Sequence, residues 1–171
     1  MPESPTAVPF KRAVLGLNGG PTDALVVKFG CVLAKPFKAE LVALHIVEVD
    51  WSRDLADDIA GENVQASTVL DMAEEIAEKA QVAMRTELLQ ARDVGAALVD
   101  EAVELEADLI VLGLPYRKKF GGDFAIGRTV PYVFQNAPCE VVIVREPIAA
   151  ADKRAARREL VGAAHEGGSA A

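Results

Sequence analysis

The sequence predicts an α/β fold, a single doubly wound sheet of five parallel strands in the order 3-2-1-4-5 with helices on both faces. Short apolar runs alternate along the chain with segments of helical period, and parallel neighbours in a sheet require right-handed helical crossovers. The runs are continuous rather than alternating with polar residues, which is typical of strands buried on both faces. Aromatic residues make up 5% of the 171 residues, so we expect an aliphatic core.

The first strand, turn and helix are indicated by residues 13–36. Residues 13–17 are an apolar run, and the turn cluster of residues 18–22 leads into a helix with Thr22 as its N-cap. This helix is expected to end near Pro36. Its predicted apolar face carries Leu25, Phe29 and Val32.

The next segments predict two strands around a long helix. Residues 41–47 form the second strand, residues 50–63 a loop or lid, and residues 86–90 a weaker third strand. The helix between them carries Glu75 and Lys79 as an i,i+4 pair of favourable orientation. Its apolar residues step by three or four, at Val69, Met72, Ile76, Ala80 and Ala83.

The last third of the predicted domain repeats the pattern. Asp93 is placed to cap a helix, residues 109–112 form the fourth strand, and residues 127–136 a short helix before a fifth strand at 141–144. The intervening stretch 113–126 is rich in glycine and basic residues, which indicates a functional loop. The inward-facing residues of the helix after Asp93 are Val94, Leu98, Ala102 and Leu105.

The chain divides into a domain and two ends. Residues 1–10, with three prolines, predict an extended leader, residues 11–145 the domain, and residues 146–171 an Ala-rich tail that is flexible or partly helical. Basic residues cluster at helical spacing in this tail, at Lys153, Arg154, Arg157 and Arg158.

Composition excludes several classes of function. The net charge of −8 disfavours binding to nucleic acid or to anionic membranes, and no apolar run is long enough for membrane insertion, so we expect a soluble cytoplasmic protein. The spacing of Cys31, Cys139, His45 and His165 fits neither a disulfide framework nor a metal site. No catalytic motif is present, so no catalytic residue is predicted.

The predicted strand order places a candidate ligand site. Doubly wound sheets bind ligands at the carboxyl ends of the strands, in the crevice where the strand order reverses. Here that crevice lies between strands one and four. The two glycine-rich turns of the sequence, after Leu17 and after Leu112, flank it.

Three segments carry a resemblance to a known family. Residues 127–145, with their Ala-Pro-Cys-Glu-Val-Val-Ile-Val-Arg ending, the Ala-Asp-Leu-Ile-Val-Leu-Gly of residues 107–113 and the Leu-His-Ile-Val of residues 44–47 resemble the universal stress protein family. The resemblance covers nearly all of residues 11–145. It implies a Rossmann-like fold of the adenine nucleotide alpha hydrolase type and a dimeric stress-response regulator.

The resemblance also implies a nucleotide site. Many members bind ATP, so ATP or another adenine nucleotide such as AMP, with or without Mg²⁺, is the expected ligand, and hydrolysis would be slow at most. Three positions depart from the binding members: Tyr116 stands at a motif glycine, Arg128 at a Ser or Thr, and Asn18 at an Asp. The implied nucleotide-binding residues are Gly16, Leu17, Asn18, Ile46, Gly113, Tyr116, Gly127, Arg128 and Thr129.

The loop residues offer a rewired anion site. Arg128 could pair with a phosphate, and Arg117, Lys118 and Lys119 add a positive field, although such loop residues are often only solvated. Gly121 and Gly122 could supply the close backbone approach that Tyr116 denies, while Tyr116 itself either caps a ligand or fills an empty pocket. The carboxylates of the preceding lid read as solvated rather than metal-binding: Asp57, Asp58 and Glu62.

The alternative function is a universal stress protein without nucleotide, acting as a dimeric partner-binding module. A membrane transporter is one candidate for the unknown protein partner, with the basic tail as contact. The resemblance implies a homodimer formed through the last strand, which would otherwise be an exposed apolar edge. The interface residues would be Val141, Val142, Ile143 and Val144.

Four further side chains have ordinary structural interpretations. His45 is expected to be a satisfied core histidine, and Cys31 and Cys139 small core hydrophobes. Trp51 is expected to pack the lid loop against the sheet edge.

Overall fold

The structure is a computed structural model that describes residues 10–56, 60–117 and 125–166. The strands are β1 (Arg12–Leu17), β2 (Glu40–Glu48), β3 (Met84–Ala91), β4 (Leu109–Leu114) and β5 (Glu140–Arg145). The helices are α1 (Asp23–Ala34), which continues into a 3-10 turn (Lys35–Phe37), α2 (Ala60–Ala80), α3 (Val94–Glu104), α4 (Thr129–Asn136) and α5 (Ile148–Glu166). Residues 1–9 of the predicted leader and Asp57, Asp58, Lys118, Lys119, Gly121 and Gly122 lie outside the described residues.

The five strands form one parallel sheet in the order β3-β2-β1-β4-β5, which confirms the predicted fold class. In the centre of this sheet, Gly16 of β1 lies opposite Leu44 of β2 and Leu112 of β4. The chain winds in opposite directions from β1 and from β4, so their carboxyl ends leave a crevice between them.

The core consists of two aliphatic layers, one on each face of the sheet. Ala13, Leu15 and Leu17 of β1 pack with α1 and α2, whereas Val14 packs with α3 and α4 on the opposite face. In β2 every residue from 41 to 47 is buried. This continuous burial explains why the apolar runs of the sequence do not alternate.

Helix α1 packs through a different face from the predicted one. Leu25, Phe29 and Val32 are exposed, Val32 to 69%. The helix is apolar nearly all round, so helical period alone does not select the inward stripe. The inward stripe is selected by the close approach of the α1 backbone to the sheet at Gly30, where a Cβ would lie 2.9 Å from Cδ2 of Leu15. The buried stripe is therefore Val26, Val27, Gly30, Cys31 and Ala34.

Within the described part of the chain, the start of α1 has no side-chain cap, and Asp23 in its first turn fixes the preceding turn instead. Thr22 occupies the N-cap position without a side-chain cap bond, and its buried hydroxyl has no hydrogen-bond partner among the described residues. The carboxylate of Asp23 instead accepts from the backbone N–H of Asn18 at 3.2 Å and of Gly19 at 2.7 Å. The predicted cap of α3 is confirmed, since Asp93 accepts from the N–H of Ala96 at 2.8 Å.

Several predicted boundaries shift. Helix α2 already begins at Ala60, inside the predicted lid, and ends before Ala83, while α4 begins two residues later than predicted, at Thr129. Trp51 does not pack on the sheet edge: it is 81% exposed, with the Arg92 guanidinium 5.0 Å from its ring. Of the described helices, none is both long and apolar enough to cross a membrane.

The three sulfur and imidazole groups lie in or beside the core. Cys31 is buried and Cys139 half-buried, and burial raises the pKa of both thiols, as expected of small core hydrophobes. His45 is buried, but its Nδ1 has no hydrogen-bond partner among the described residues, so the prediction that it is satisfied is wrong. Burial lowers the pKa of His45 and so favours the neutral ring, and nearby Asp23 partly opposes this shift.

Candidate functional site

A cavity of about 340 Å³ opens at the carboxyl ends of β1 and β4, where the sequence predicts it. All of the predicted nucleotide-binding residues except Tyr116 line it: Gly16, Leu17, Asn18, Ile46, Gly113, Gly127, Arg128 and Thr129. The remaining described lining residues are Leu44, Val94, Leu98, Leu112, Leu114, Pro115, Arg117, Ala125, Ile126 and Val130.

The floor of the cavity is apolar. Leu44 and Ile46 come from β2, Leu98 from α3 and Leu112 from β4. Gly16 makes this floor possible, because a Cβ there would lie 3.3 Å from Leu98 and in direct collision with the Leu112 side chain. A flat apolar group fits such a surface.

The turn after β1 forms one rim, and its own contacts fix its shape. The Oδ1 of Asn18 accepts from the N–H of Gly20 at 2.8 Å, and Gly19 takes a left-handed φ of 77°. Asp23 holds the amides of Asn18 and Gly19 from beneath. Burial raises the pKa of Asp23 despite these bonds. Because the Asn18 oxygen is already bonded, its amide nitrogen is the group that remains to donate to a ligand.

The opposite rim is formed by the residues between β4 and α4. Gly127 has a φ of 81°, a left-handed conformation that costs any other residue strain, and it turns the chain into α4. Thr129 is the first residue of this helix, whose N-terminal amides carry partial positive charge. The Arg128 side chain is 82% exposed and pairs with Oε1 of Glu48 at 3.0 Å.

Gly113 lies inside β4 and contributes close packing. A Cβ at this position would lie 2.8 Å from Cβ of Thr22 and 3.1 Å from Cγ2 of Val26. The glycine thus lets the first turn of α1 rest directly on the sheet beside the cavity.

Tyr116 does not line the cavity in the described structure. The Arg145 guanidinium lies 5.4 Å from its ring, and its backbone N–H donates to Oε2 of Glu146 at 3.1 Å. Its neighbours Pro115 and Arg117 line the cavity instead. Tyr116 therefore does not fill this space.

The electrostatics of the cavity are opposite to those of the molecule. Among the described lining residues the charged ones are Arg117 and Arg128, while the chain as a whole carries −8. No group of three or more His, Cys, Asp or Glu suited to a metal ion occurs within residues 10–56, 60–117 and 125–166. An apolar floor beside two guanidinium groups and a helix start suits a ligand with an apolar and an anionic end.

The described site contains two residues that the sequence analysis did not single out. Glu48 ends β2 at the same edge of the sheet, so the rule of strand ends could have found it. Glu146 bonds to the crevice loop across 30 residues of sequence, and no local pattern signals that contact.

Comparison with known proteins identifies the family. The model of the universal stress protein family matches residues 9–145. The chain belongs to the universal stress protein family. A curated relative, the universal stress protein MJ0531 of Methanocaldococcus jannaschii, is 27% identical over 146 residues, which cover 81% of this chain and 84% of the relative.

Solved structures of universal stress proteins share the fold. One from Archaeoglobus fulgidus superposes with a TM-score of 0.66 at 18% identity, covering 78% of this chain and 97% of its own. A universal stress protein in complex with cAMP gives 0.62 at 19% identity, with coverages of 81% and 99%. A relative from Arabidopsis thaliana with AMP bound gives 0.58 at 9% identity, with coverages of 82% and 94%.

Proposed function

We propose that this universal stress protein is a dimeric stress-response regulator that binds an adenine nucleotide in the crevice between β1 and β4. The observation that carries the proposal is the cavity itself, whose described charged lining residues are both arginines in a protein of net charge −8. Relatives of the same fold bind cAMP and AMP. A nucleotide combines the flat apolar ring and the anionic group that these walls suit.

The proposed pose follows from the chemistry of the walls. The adenine lies on the apolar floor beside Ile46, and the ribose meets the amide nitrogen of Asn18. The phosphate is held at the start of α4 by Thr129, with Arg128 and Arg117 as charge-assisted donors. Of the two candidate ligands AMP and ATP, the volume of about 340 Å³ favours the smaller. Mg²⁺ would enter only with ATP, because no carboxylate lines the described cavity.

Thermal unfolding of ligand-stripped protein tests this function. AMP, ADP, ATP and cAMP are compared with GTP, each with and without Mg²⁺. A ligand at about 100 times its dissociation constant adds roughly 2.7 kcal/mol, which raises the Tm of a domain of this size by about 5–11 °C. A shift confined to adenine nucleotides is the expected result, and no shift with any of them contradicts the proposal.

A pair of matched variants locates the site. Arg128→Ala removes a cavity guanidinium, and loss of a charge-assisted hydrogen bond is expected to weaken nucleotide binding about tenfold or more. Arg157→Ala removes the same charge from the exposed surface of α5 and is expected to leave affinity unchanged. Equal affinities for the two variants would exclude Arg128 from the site.

A second candidate function is partner binding by the dimer without nucleotide. The outer edge of β5 is unpaired within the described sheet, and its residues 141–144 are only half-buried. Such an apolar edge is normally covered, and a second copy of β5 would cover it. A groove between Pro21 and α5 is lined by Glu146, which pairs with Arg154, and by the basic side chains of Lys153, Arg157 and Arg158. These three basic side chains suit an acidic segment of a protein partner such as a transporter.

A further inference from the structure

A buried carboxylate ties the C-terminal helix to the crevice. Glu146 directly follows β5, and its side chain is only 4% exposed. Its Oε2 accepts from Nη2 of Arg154 at 2.7 Å and from the N–H of Tyr116 at 3.1 Å, and its Oε1 accepts from Nε of Arg154 at 3.1 Å. The two guanidinium bonds form a bidentate pair, which is directional as well as strong.

The same residue grips the crevice segment through its backbone. The N–H of Glu146 donates to the carbonyl of Leu114 at 2.9 Å, and Arg145 donates to the carbonyl of Glu146 while its guanidinium lies over the Tyr116 ring. Residues 114–117 thus receive both a main-chain and a side-chain contact. Because Leu114, Pro115 and Arg117 line the cavity, these contacts set the position of one cavity wall.

Little else in the described structure attaches α5 to the domain. Along residues 148–162 only Ala151 is buried, and Arg154 is the one half-buried residue. The fewer buried contacts a helix makes with its domain, the lower the free energy needed to detach it. The contact between Glu146 and Arg154 therefore governs the attachment of α5, and both residues lie beyond the match to the family model, which ends at residue 145.

We propose that Glu146 and Arg154 are positioning residues for the crevice: they fix residues 114–117 and so couple α5 to ligand binding. The coupling to nucleotide rests on the function proposed above, whereas the positioning of the segment does not. The reason is geometric. Arg154 holds the Glu146 carboxylate in the one orientation in which Oε2 meets the Tyr116 amide. Coupling is reciprocal, so displacement of α5 lowers the affinity for the ligand, and bound ligand stabilises the attachment of α5 to the domain.

Amide hydrogen exchange at Tyr116, resolved by NMR, tests the positioning without any nucleotide. Arg154→Ala is expected to raise the Tyr116 exchange rate about tenfold or more, as for loss of a charge-assisted hydrogen bond. Arg157→Ala is the matched control, since it removes the same charge from the same helix, and it should leave Tyr116 as in the wild type. Unchanged exchange at Tyr116 in Arg154→Ala overturns the proposal.

Two further measurements keep the result unambiguous. If the central amide of Val14 also exchanges rapidly in Arg154→Ala, the domain has unfolded, and Arg154→Lys is used in place of that variant. A single ammonium group cannot bond both carboxylate oxygens as the guanidinium does, so the Tyr116 amide should exchange at an intermediate rate. Wild-type protection of Tyr116 in Arg154→Lys would overturn the proposal. AMP affinity should fall about fivefold or more in whichever variant stays folded. Faster Tyr116 exchange with unchanged affinity refutes the coupling, whereas no AMP binding by the wild type refutes the nucleotide function alone.

Discussion

Replacing Gly113 with alanine separates two roles for a glycine at this crevice, close packing of α1 on the sheet and close approach of a ligand. The new Cβ would lie 2.8 Å from Cβ of Thr22 and 3.1 Å from Cγ2 of Val26. The Thr22 hydroxyl oxygen would lie closer still and in direct collision with the new Cβ. Because the Cβ of Thr22 is also fixed to the backbone, α1 or β4 must shift. Overpacking of this kind costs about 1–3 kcal/mol, which lowers the Tm of a domain of this size by about 2–12 °C.

A double-mutant cycle with Thr22→Ala identifies the obstacle. That change removes a methyl group and a buried hydroxyl that has no partner among the described residues, so alone it should cost little. In its background the colliding hydroxyl oxygen is gone while Cβ remains, so the cost of Gly113→Ala should fall by about 0.5–3 kcal/mol without vanishing, as for residues in contact. Gly127→Ala is the control, because a Cβ at this position would have no atom within 4 Å and the destabilisation would come from the φ of 81° alone. That destabilisation should be the same with Thr22 or Ala at position 22.

Thermal and urea unfolding of the four proteins of the cycle measure these costs. A wild-type Tm for Gly113→Ala would refute the close approach, and an undiminished cost in the Thr22→Ala background would refute the Thr22 hydroxyl as its main cause. AMP titration of the stabilised double variant then gives the second role: recovered binding assigns Gly113 to packing, and lost binding assigns it to the ligand as well.

Three more perturbations test the remaining contacts. Arg154→Ala should lower the free energy of unfolding by about 2–3 kcal/mol, a value between those of exposed and buried ion pairs. Because Arg154 holds the pKa of Glu146 below its usual range, this contribution is present at neutral pH and is lost as pH falls through the depressed folded-state pKa. A difference in urea unfolding between wild type and variant that does not change with pH would contradict this. Glu48→Gln frees Arg128 from an exposed ion pair worth about 0.2–1 kcal/mol, so calorimetry should show AMP binding up to about fivefold tighter, and weaker binding would count against Arg128 as a phosphate donor. Val142→Glu should give monomer by light scattering, and an intact dimer would exclude β5 as the interface.

The fold follows from the sequence because local rules carry most of it. Continuous apolar runs such as residues 41–47 mark strands buried on both faces, and helices between them force parallel pairing. The inward face of α1 does not follow, because the helix is apolar nearly all round and close contacts with the sheet, such as that of Gly30 with Leu15, select the buried side. That contact joins residues far apart in sequence, where local period carries no information.

The location of the candidate site was predictable for the same reason, since strand ends in a known order define a crevice. Its long-range contacts were not. The bond of the Asn18 oxygen to the Gly20 N–H is a local turn contact between residues two apart. The pairings of Arg128 with Glu48 and of Tyr116 with Glu146 join distant residues, and they depend on geometry that only the folded chain shows.

The departures from the phosphate-binding motif indicate how an anion would be held here. A glycine amide at position 116 could face a phosphate, but the Tyr116 amide donates to Glu146. The positive groups that line the described cavity are instead the side chains of Arg117 and Arg128, and the latter is largely exposed. Exposed charges are screened within about 8–10 Å at physiological salt, whereas backbone donors in a closed loop are screened less. AMP affinity should therefore fall steeply as NaCl is raised, and Arg128→Ala should flatten that dependence. An affinity independent of salt, or an unaltered slope in Arg128→Ala, would mean that backbone amides still hold the phosphate.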